Sequence, residues 1–266
     1  MKTASTASAN GIEVNYELHG KDGAPWLVLS HSLACSVRMW DPQIAALKDQ
    51  YRILACDTRG HGASQAPGGP YTLEMLADGL FFLLKELKIT KTHFCGLSMG
   101  GMIGQTFALK YPGVFRTLTL ADTTSRYPEN AAPLWAERIK IAESKGMEPL
   151  AQPTLERWFT EPFRKANAGV VDAIRKLILA TPVAGYVGCS HAIPKINLTA
   201  RLREIKCPIL VIVGEQDPGT PVAMAREIHD NAPGSKLTVL PQAAHLANLE
   251  QPQGFTRALG DFLRSN

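Results

Sequence analysis

Short apolar runs bounded by turn residues alternate along this chain with longer stretches of helical periodicity. That alternation is the strongest constraint on its fold. Trp26–Ser30 (WLVLS), Arg52–Cys56 (RILAC) and Thr92–Cys95 (THFC) read as buried strands. So do Thr117–Ala121 (TLTLA), Pro208–Val213 (PILVIV) and Lys236–Leu240 (KLTVL). Between them, residues 72–87 carry apolar side chains at 73, 76, 80, 83, 84 and 87, close to helical spacing. Residues 99–111, 221–231 and 254–263 are further helical candidates. Strands that alternate with helices in this way pair in parallel and are covered on both faces, so the expected class is α/β with a mostly parallel sheet.

One stretch breaks the alternation. From Arg126 to Ala200 no strand is convincing, prolines recur, and Trp135, Trp158, Phe159, Phe163 and Tyr186 are concentrated there. The expected organisation is a core of residues 1–125 and 201–266, with 126–200 inserted as a helical cap; the alternative is two extra helices of the main layer. A chain of 266 residues accommodates one such domain and buries a large core without bridges or metals. The net charge of +4 and the lack of a dense basic cluster give no case for nucleic acid or membrane partners. Apolar runs such as Leu80–Leu84 fall far short of the roughly 20 residues a spanning helix needs. Residues 1–10 are polar and small, unlike a secretory signal. The cysteines at 35, 56, 95, 189 and 207 are odd in number, scattered and without a CxxC pair. Reduced thiols and a cytoplasmic location are expected.

The chemistry-bearing signal is Gly96-Leu97-Ser98-Met99-Gly100, a G-x-S-x-G run between a strand and a helix. Such a turn strains the serine backbone and lifts the hydroxyl above the sheet, while its close packing leaves no room for side chains at 96 and 100. A serine hydroxyl needs a base. His245 follows the last strand candidate, at the strand end where open α/β sheets place their sites. His19, His61, His93 and His229 read as structural or surface residues, and His191 as a cap residue within reach of a substrate. The acid that orients the imidazole is assigned to Asp217, directly after PILVIVG, with Asp122 after TLTLA as its rival. Asp57, in the DTRGHG turn, reads as structural, and Glu215 as solvated. The negative charge that develops on an attacked carbonyl needs preplaced donors. The backbone N–H groups of Met99 and Leu33 are the candidates, with His31 bracing the loop that carries Leu33.

These residues resemble those of the α/β-hydrolases over nearly the whole chain, and more narrowly those of the 3-oxoadipate enol-lactonases. The similar stretches are LVLSHSLACSVRMWDPQ (27–43), DTRGHGAS (57–64), PYTLEMLADG (70–79), FCGLSMGG (94–101), RWFT (157–160) and LPQAAHLANLEQP (240–252). DTRGHG and GLSMGG occur broadly in the superfamily; the S-L-x-x-x-x-x-M-W run and RWFT are narrower. The chain departs in reading His31-Ser32-Leu33-Ala34 where the lactonases often read Asn-Ser-Leu-Gly. The resemblance implies an eight-stranded sheet and the chain order Ser98…Asp217…His245. It implies a small unsaturated lactone bearing a carboxylate as substrate, and no metal or organic cofactor. It also calls for a cation to hold that carboxylate: Arg138 first, Arg157 second, with Trp135 as a roof over the site. The rival functions are a carboxylesterase, or a lactonase or lactamase of other specificity, on the same residues. A carbon–carbon bond hydrolase and a hydrolase-fold ligand receptor are more distant alternatives.

Overall fold

A computed structural model describes residues 3–266 of the chain. The strands are β1 (Thr3–Ala9), β2 (Ile12–His19), β3 (Trp26–Ser30), β4 (Arg52–Cys56), β5 (Thr92–Leu97), β6 (Phe115–Ala121), β7 (Ile209–Gly214) and β8 (Lys236–Leu240). They form one eight-stranded sheet in the order β1-β2-β4-β3-β5-β6-β7-β8. From β4 onward along this order every pair is parallel; only β1–β2 and β2–β4 are antiparallel. The helices before the sequence break are α1 (Asp41–Leu47), α2 (Leu73–Glu86) and α3 (Met99–Lys110). Then come α4 (Ala132–Lys145), α5 (Glu148–Trp158), α6 (Glu161–Ala166), α7 (Ala168–Ala180) and α8 (Val183–Ala192). The last three are α9 (Val222–Asn231), α10 (Ala247–Glu250) and α11 (Pro252–Arg264).

The six strands expected from apolar runs are all present, with ends shifted by up to two residues. Every residue of β5 and β7 is buried, as strands covered on both faces must be. Helices cover the sheet in two separate groups: α1 packs on α10 and α11, while α2 packs on α3. The start of α2 is fixed by Thr72, whose hydroxyl accepts the Met75 N–H at 3.0 Å. Its Leu73, Leu76, Ala77, Leu80, Leu83 and Leu84 form the buried face.

The β1–β2 hairpin was not read from the sequence, because the first ten residues are small and polar. Its signal lies in the turn. Asn10 and Gly11 both have positive φ (50° and 75°), the Asn-Gly turn whose twist suits paired strands. Beyond it Ile12, Val14 and Tyr16 alternate inward.

Helices α4 to α8 occupy the stretch without strands. The two ends of that stretch are stitched together: Arg126 bridges Asn197, the Leu198 N–H donates to Ser125 O at 2.7 Å, and the Ser125 and Thr199 hydroxyls meet at 2.7 Å. Helix α8 lies backbone to backbone on the turn after β4. A Cβ on Gly185 would stand 1.8 Å from Gly60 O, so only glycine permits this approach. The Tyr71 N–H donates to Gly188 O at 3.1 Å beside it. All five cysteines are free, four of them buried and Cys207 partly so. No helix among the described residues is long and apolar enough to cross a membrane.

Candidate active site

Ser98, Asp122, Asp217 and His245 all follow the C-terminal ends of strands, at β5, β6, β7 and β8. Ser98 turns directly from β5 into α3 with φ 56° and ψ −116°, a conformation that costs an L-residue about 1–3 kcal/mol. The surroundings hold it there. The Ser98 N–H donates to Ala121 O at 2.9 Å, and the Thr123 hydroxyl donates to Ser98 O at 2.7 Å. A Cβ on Gly100 would lie 2.2 Å from Ser30 O, and one on Gly96 would lie 2.3 Å from Gly100 O. Gly96 lets β5 turn tightly into α3, and Gly100 lets the start of α3 press against the end of β3.

His245 Nδ1 lies 2.8 Å from Asp217 Oδ2. The Thr220 hydroxyl donates to the same oxygen at 2.6 Å, and Asp217 Oδ1 accepts the N–H groups of Gly219 and Thr220 at 2.8 and 3.1 Å. Burial raises the Asp217 carboxyl, but the His245 ring and the Thr220 donors outweigh it and hold the group below the usual carboxylate range. The rival behaves in the opposite way. Asp122 Oδ1 accepts the Gly214 N–H at 2.7 Å, and burial together with the Asp217 charge raises the carboxyl well above the usual range. The structure thus brings Asp217, and not Asp122, to the imidazole. His245 Nε2 has no protein partner among the described residues, and Ser98 and His245 line one cavity without bonding each other. Such bonds commonly tighten only when substrate is bound.

The two expected main-chain donors are free of protein acceptors among the described residues. Met99 is the first residue of α3, where an N–H has no partner within the helix. Leu33 lies in the loop after β3, and its neighbours are tied down around it. The Ser32 N–H contacts Met39 Sδ at 3.3 Å, and the Ala34 N–H donates to His61 Nε2 at 3.0 Å. His31 accepts the Thr58 N–H at Nε2 (2.9 Å), so its Nδ1–H donates to Ser32 O (2.7 Å). Both imidazoles are neutral braces: burial lowers each, and burial with the neighbouring His31 takes His61 down to about 3. Asp57 supports the same region, accepting from Val37 and Ala63 N–H and from Asn15 Nδ2. Ala34, at the position where the lactonases often have glycine, sits at φ 56°.

The cavity above Ser98 has a volume of about 200 Å³ and is walled by the α4–α8 stretch. The three expected substrate contacts, Trp135, Arg138 and Arg157, all line it. The Arg138 guanidinium lies 4.8 Å from the Trp135 ring centre, and Arg157 donates to Thr154 Oγ1 at 3.1 Å. Neither arginine has a carboxylate partner among the described residues, and no Asp or Glu lines the cavity. Burial and the charge of Arg138 push Arg157 below its usual range. Three lining aromatics had no such place in the sequence reading. Tyr127 packs edge-on to Trp135, Tyr186 faces both arginines, and Trp158 stacks on His245 with ring centres 6.1 Å apart. Thr220 was also missed, although Asp217-Pro218-Gly219 ahead of it is a turn signal in which the aspartate accepts the N–H two residues on. No group of three or more His, Cys, Asp or Glu among the described residues could hold a metal ion.

Comparison with known proteins agrees with this architecture. The family described as alpha/beta hydrolase fold matches residues 25–252. The 3-oxoadipate enol-lactonase 2 of Acinetobacter baylyi is 36 % identical over 96 % of this chain and 94 % of its own length. The crystal structure of the enol-lactonase from Burkholderia xenovorans LB400 superposes with a TM-score of 0.95 at 37 % identity, covering 98 % of this chain and all of that one. A thermophilic esterase from Thermogutta terrifontis, solved with malate bound, superposes at 0.91 with 30 % identity, covering 100 % of this chain and 98 % of that one.

Proposed function

We propose that this chain, which belongs to the α/β-hydrolase family, is a serine hydrolase that opens a small carboxylated enol-lactone, 3-oxoadipate enol-lactone, to 3-oxoadipate. One observation carries the reading. The cavity that holds Ser98 and His245 also holds two guanidiniums and no carboxylate. A site of that composition favours an ester whose far end is an anion. The enol-lactonases among its relatives supply the ring chemistry.

In the proposed mechanism His245 takes the Ser98 proton as Oγ attacks the ring carbonyl. Asp217 holds the imidazole by Nδ1 and stabilises its cation. The Leu33 and Met99 N–H groups receive the developing oxyanion, each donor being worth about a hundred- to a thousandfold in rate. As the intermediate collapses, His245 returns the proton to the leaving oxygen and expels an enol, a better leaving group than an alkoxide, which tautomerises to the ketone. The ring has then opened but remains attached to Ser98 as an acyl ester. His245 next activates water, which attacks that ester and releases the acid. Arg138 and Arg157 hold the substrate carboxylate, and Trp135 closes the roof.

The test is kcat/KM on freshly generated enol-lactone beside a short-chain nitrophenyl ester, with Ser98→Ala as the blank. A lactone value above about 10⁵ M⁻¹s⁻¹ and well ahead of the ester is expected for the physiological substrate. Good ester turnover with a poor lactone rate would replace this reading with the second one, a carboxylesterase on the same residues. The similarity to the Thermogutta esterase is the observation that favours that second reading.

A further inference from the structure

Glu250 ends α10, five residues beyond His245, and is only 7 % exposed. It belongs to none of the groups that the proposed mechanism uses. Its Oε2 accepts the N–H of Ala244, the residue before His245. Its Oε1 accepts both the N–H and the hydroxyl of Thr160, at 2.9 and 2.8 Å. Thr160 caps α6 and lies in the helical stretch, two residues after Trp158. A second tie runs alongside: the N–H of Leu246, the residue after His245, donates to Trp158 O at 3.0 Å. The Trp158 ring stacks on the imidazole with an interplanar angle of 29°. His245 is therefore bracketed. Glu250 fixes the residue before it, Trp158 fixes the residue after it, and both ties lead into the Trp158–Thr160 segment.

The chemistry of the bonds identifies the form of the carboxyl. All three partners are donors, and between them they occupy both oxygens, which suits an ionised group that only accepts. Burial raises Glu250 above the usual carboxylate range, while the Ala244 and Thr160 donors and the charge of Arg164 work the other way. A glutamine cannot replace it. Its single oxygen would serve one side, and its NH₂ would face a donor on the other.

We propose that Glu250 is a positioning residue that locks the Trp158–Thr160 segment to the His245 loop, so that the aim of the base depends on the docking of the helical stretch. The proposal rests on the reading of His245 as the base.

The test compares Glu250→Gln and Thr160→Val with the parent protein at pH 8, with His245→Ala as control and rates counted per titratable serine. Glu250→Gln is expected to lower kcat by about 10- to 100-fold, the size of effect that a small misplacement of a reacting group produces, with KM within about threefold. Phosphonylation of Ser98 by a small fluorophosphonate, which makes no use of the arginine end of the cavity, should slow by a similar factor. Thr160→Val keeps the backbone donor and should show a smaller loss in the same direction. Parental kcat and phosphonylation rates in Glu250→Gln, with only Tm reduced, would make Glu250 a purely structural tie and overturn the proposal. A change confined to KM would overturn it as well. If His245→Ala keeps turnover, the reading of the base itself fails, a result that owes nothing to Glu250.

Discussion

The two halves of the cavity are built differently. The half on the sheet side is fixed by the backbone. Ser98 is clamped between Ala121 and Thr123, and Asp217 is filled by four donors. The loop of Leu33 is pinned by two neutral imidazoles. The half contributed by the helical stretch is anchored at its edges by backbone bonds but lined by rings. Tyr127 packs edge-on to Trp135, Trp158 stacks on His245, and the two arginines have no carboxylate partner among the described residues. A rigid half suits bond-making, which tolerates little displacement. Outside the Trp158–Thr160 segment, which is hydrogen-bonded to the His245 loop, the helical half can change its lining without disturbing the turn geometry beneath it. The comparison therefore assigns reaction type to the sheet side and substrate choice to the helical side.

The largest expected effects test the sheet side. Ser98→Ala should abolish turnover of lactone and neutral ester alike, by about 10⁶-fold in kcat. Equal loss on both substrates is the diagnostic outcome, and a loss of less than about 100-fold on either would mean that another nucleophile operates. Asp217→Asn should cost about 10⁴-fold, because an amide leaves the imidazole in the wrong tautomer. Asp122→Asn should change the rate little, since the Asp122 carboxyl is raised towards its neutral form and makes no bond to His245. Stopped assays on both variants would settle the matter. A larger loss for Asp122→Asn would reverse the assignment of the acid.

Arg138→Leu and Arg157→Leu test the helical side, and they should separate the substrates. Each loses a charge-assisted bond worth about 1.5–3 kcal/mol, so kcat/KM for the carboxylated lactone should fall by about 10- to 100-fold. The neutral nitrophenyl ester should hold its rate or gain, because one of two repelling cations is gone. Parallel losses on both substrates would show that the arginines support the fold of the cavity wall rather than the choice of ligand.

The same contrast explains what could be read from the sequence. Ser98, Asp217, His245 and the loop of Leu33 were legible because each follows a strand end and each turn demands particular residues, such as Gly96 and Gly100. Trp135, Arg138 and Arg157 could be named only through resemblance. Nothing in the order of residues 126–200 says which face of α4 or α5 looks down on the sheet. Nor does that order say that Tyr127, ahead of α4, and Tyr186, on α8, reach the same cavity, so both were missed. The β1–β2 hairpin was missed for another: its small residues hide a strand that the Asn10-Gly11 turn announces.

The smallest expected effect lies in the bracing of the sheet side. His61 is fully buried, accepts the Ala34 N–H and stays neutral down to about pH 3, against 6.5 for an unperturbed imidazole. Between those two values the unfolded chain binds a proton that the folded chain does not. Stability from this group is therefore intact above about pH 6.5 and declines as the pH falls, by about 1.4 kcal/mol per pH unit. His61→Gln can keep the bond to Ala34 through its amide oxygen and removes the titration. Urea midpoints measured at pH 7, 6 and 5 should therefore fall more steeply for the parent than for the variant. Asp122 and Glu250, raised by burial, titrate in the opposite sense, but they are shared by both proteins and cancel in the difference. Parallel curves would mean that His61 takes up its proton in the folded state. The brace under Leu33 would then be a cation, unable to accept from Ala34, and the sheet side would be the less rigid half at acid pH.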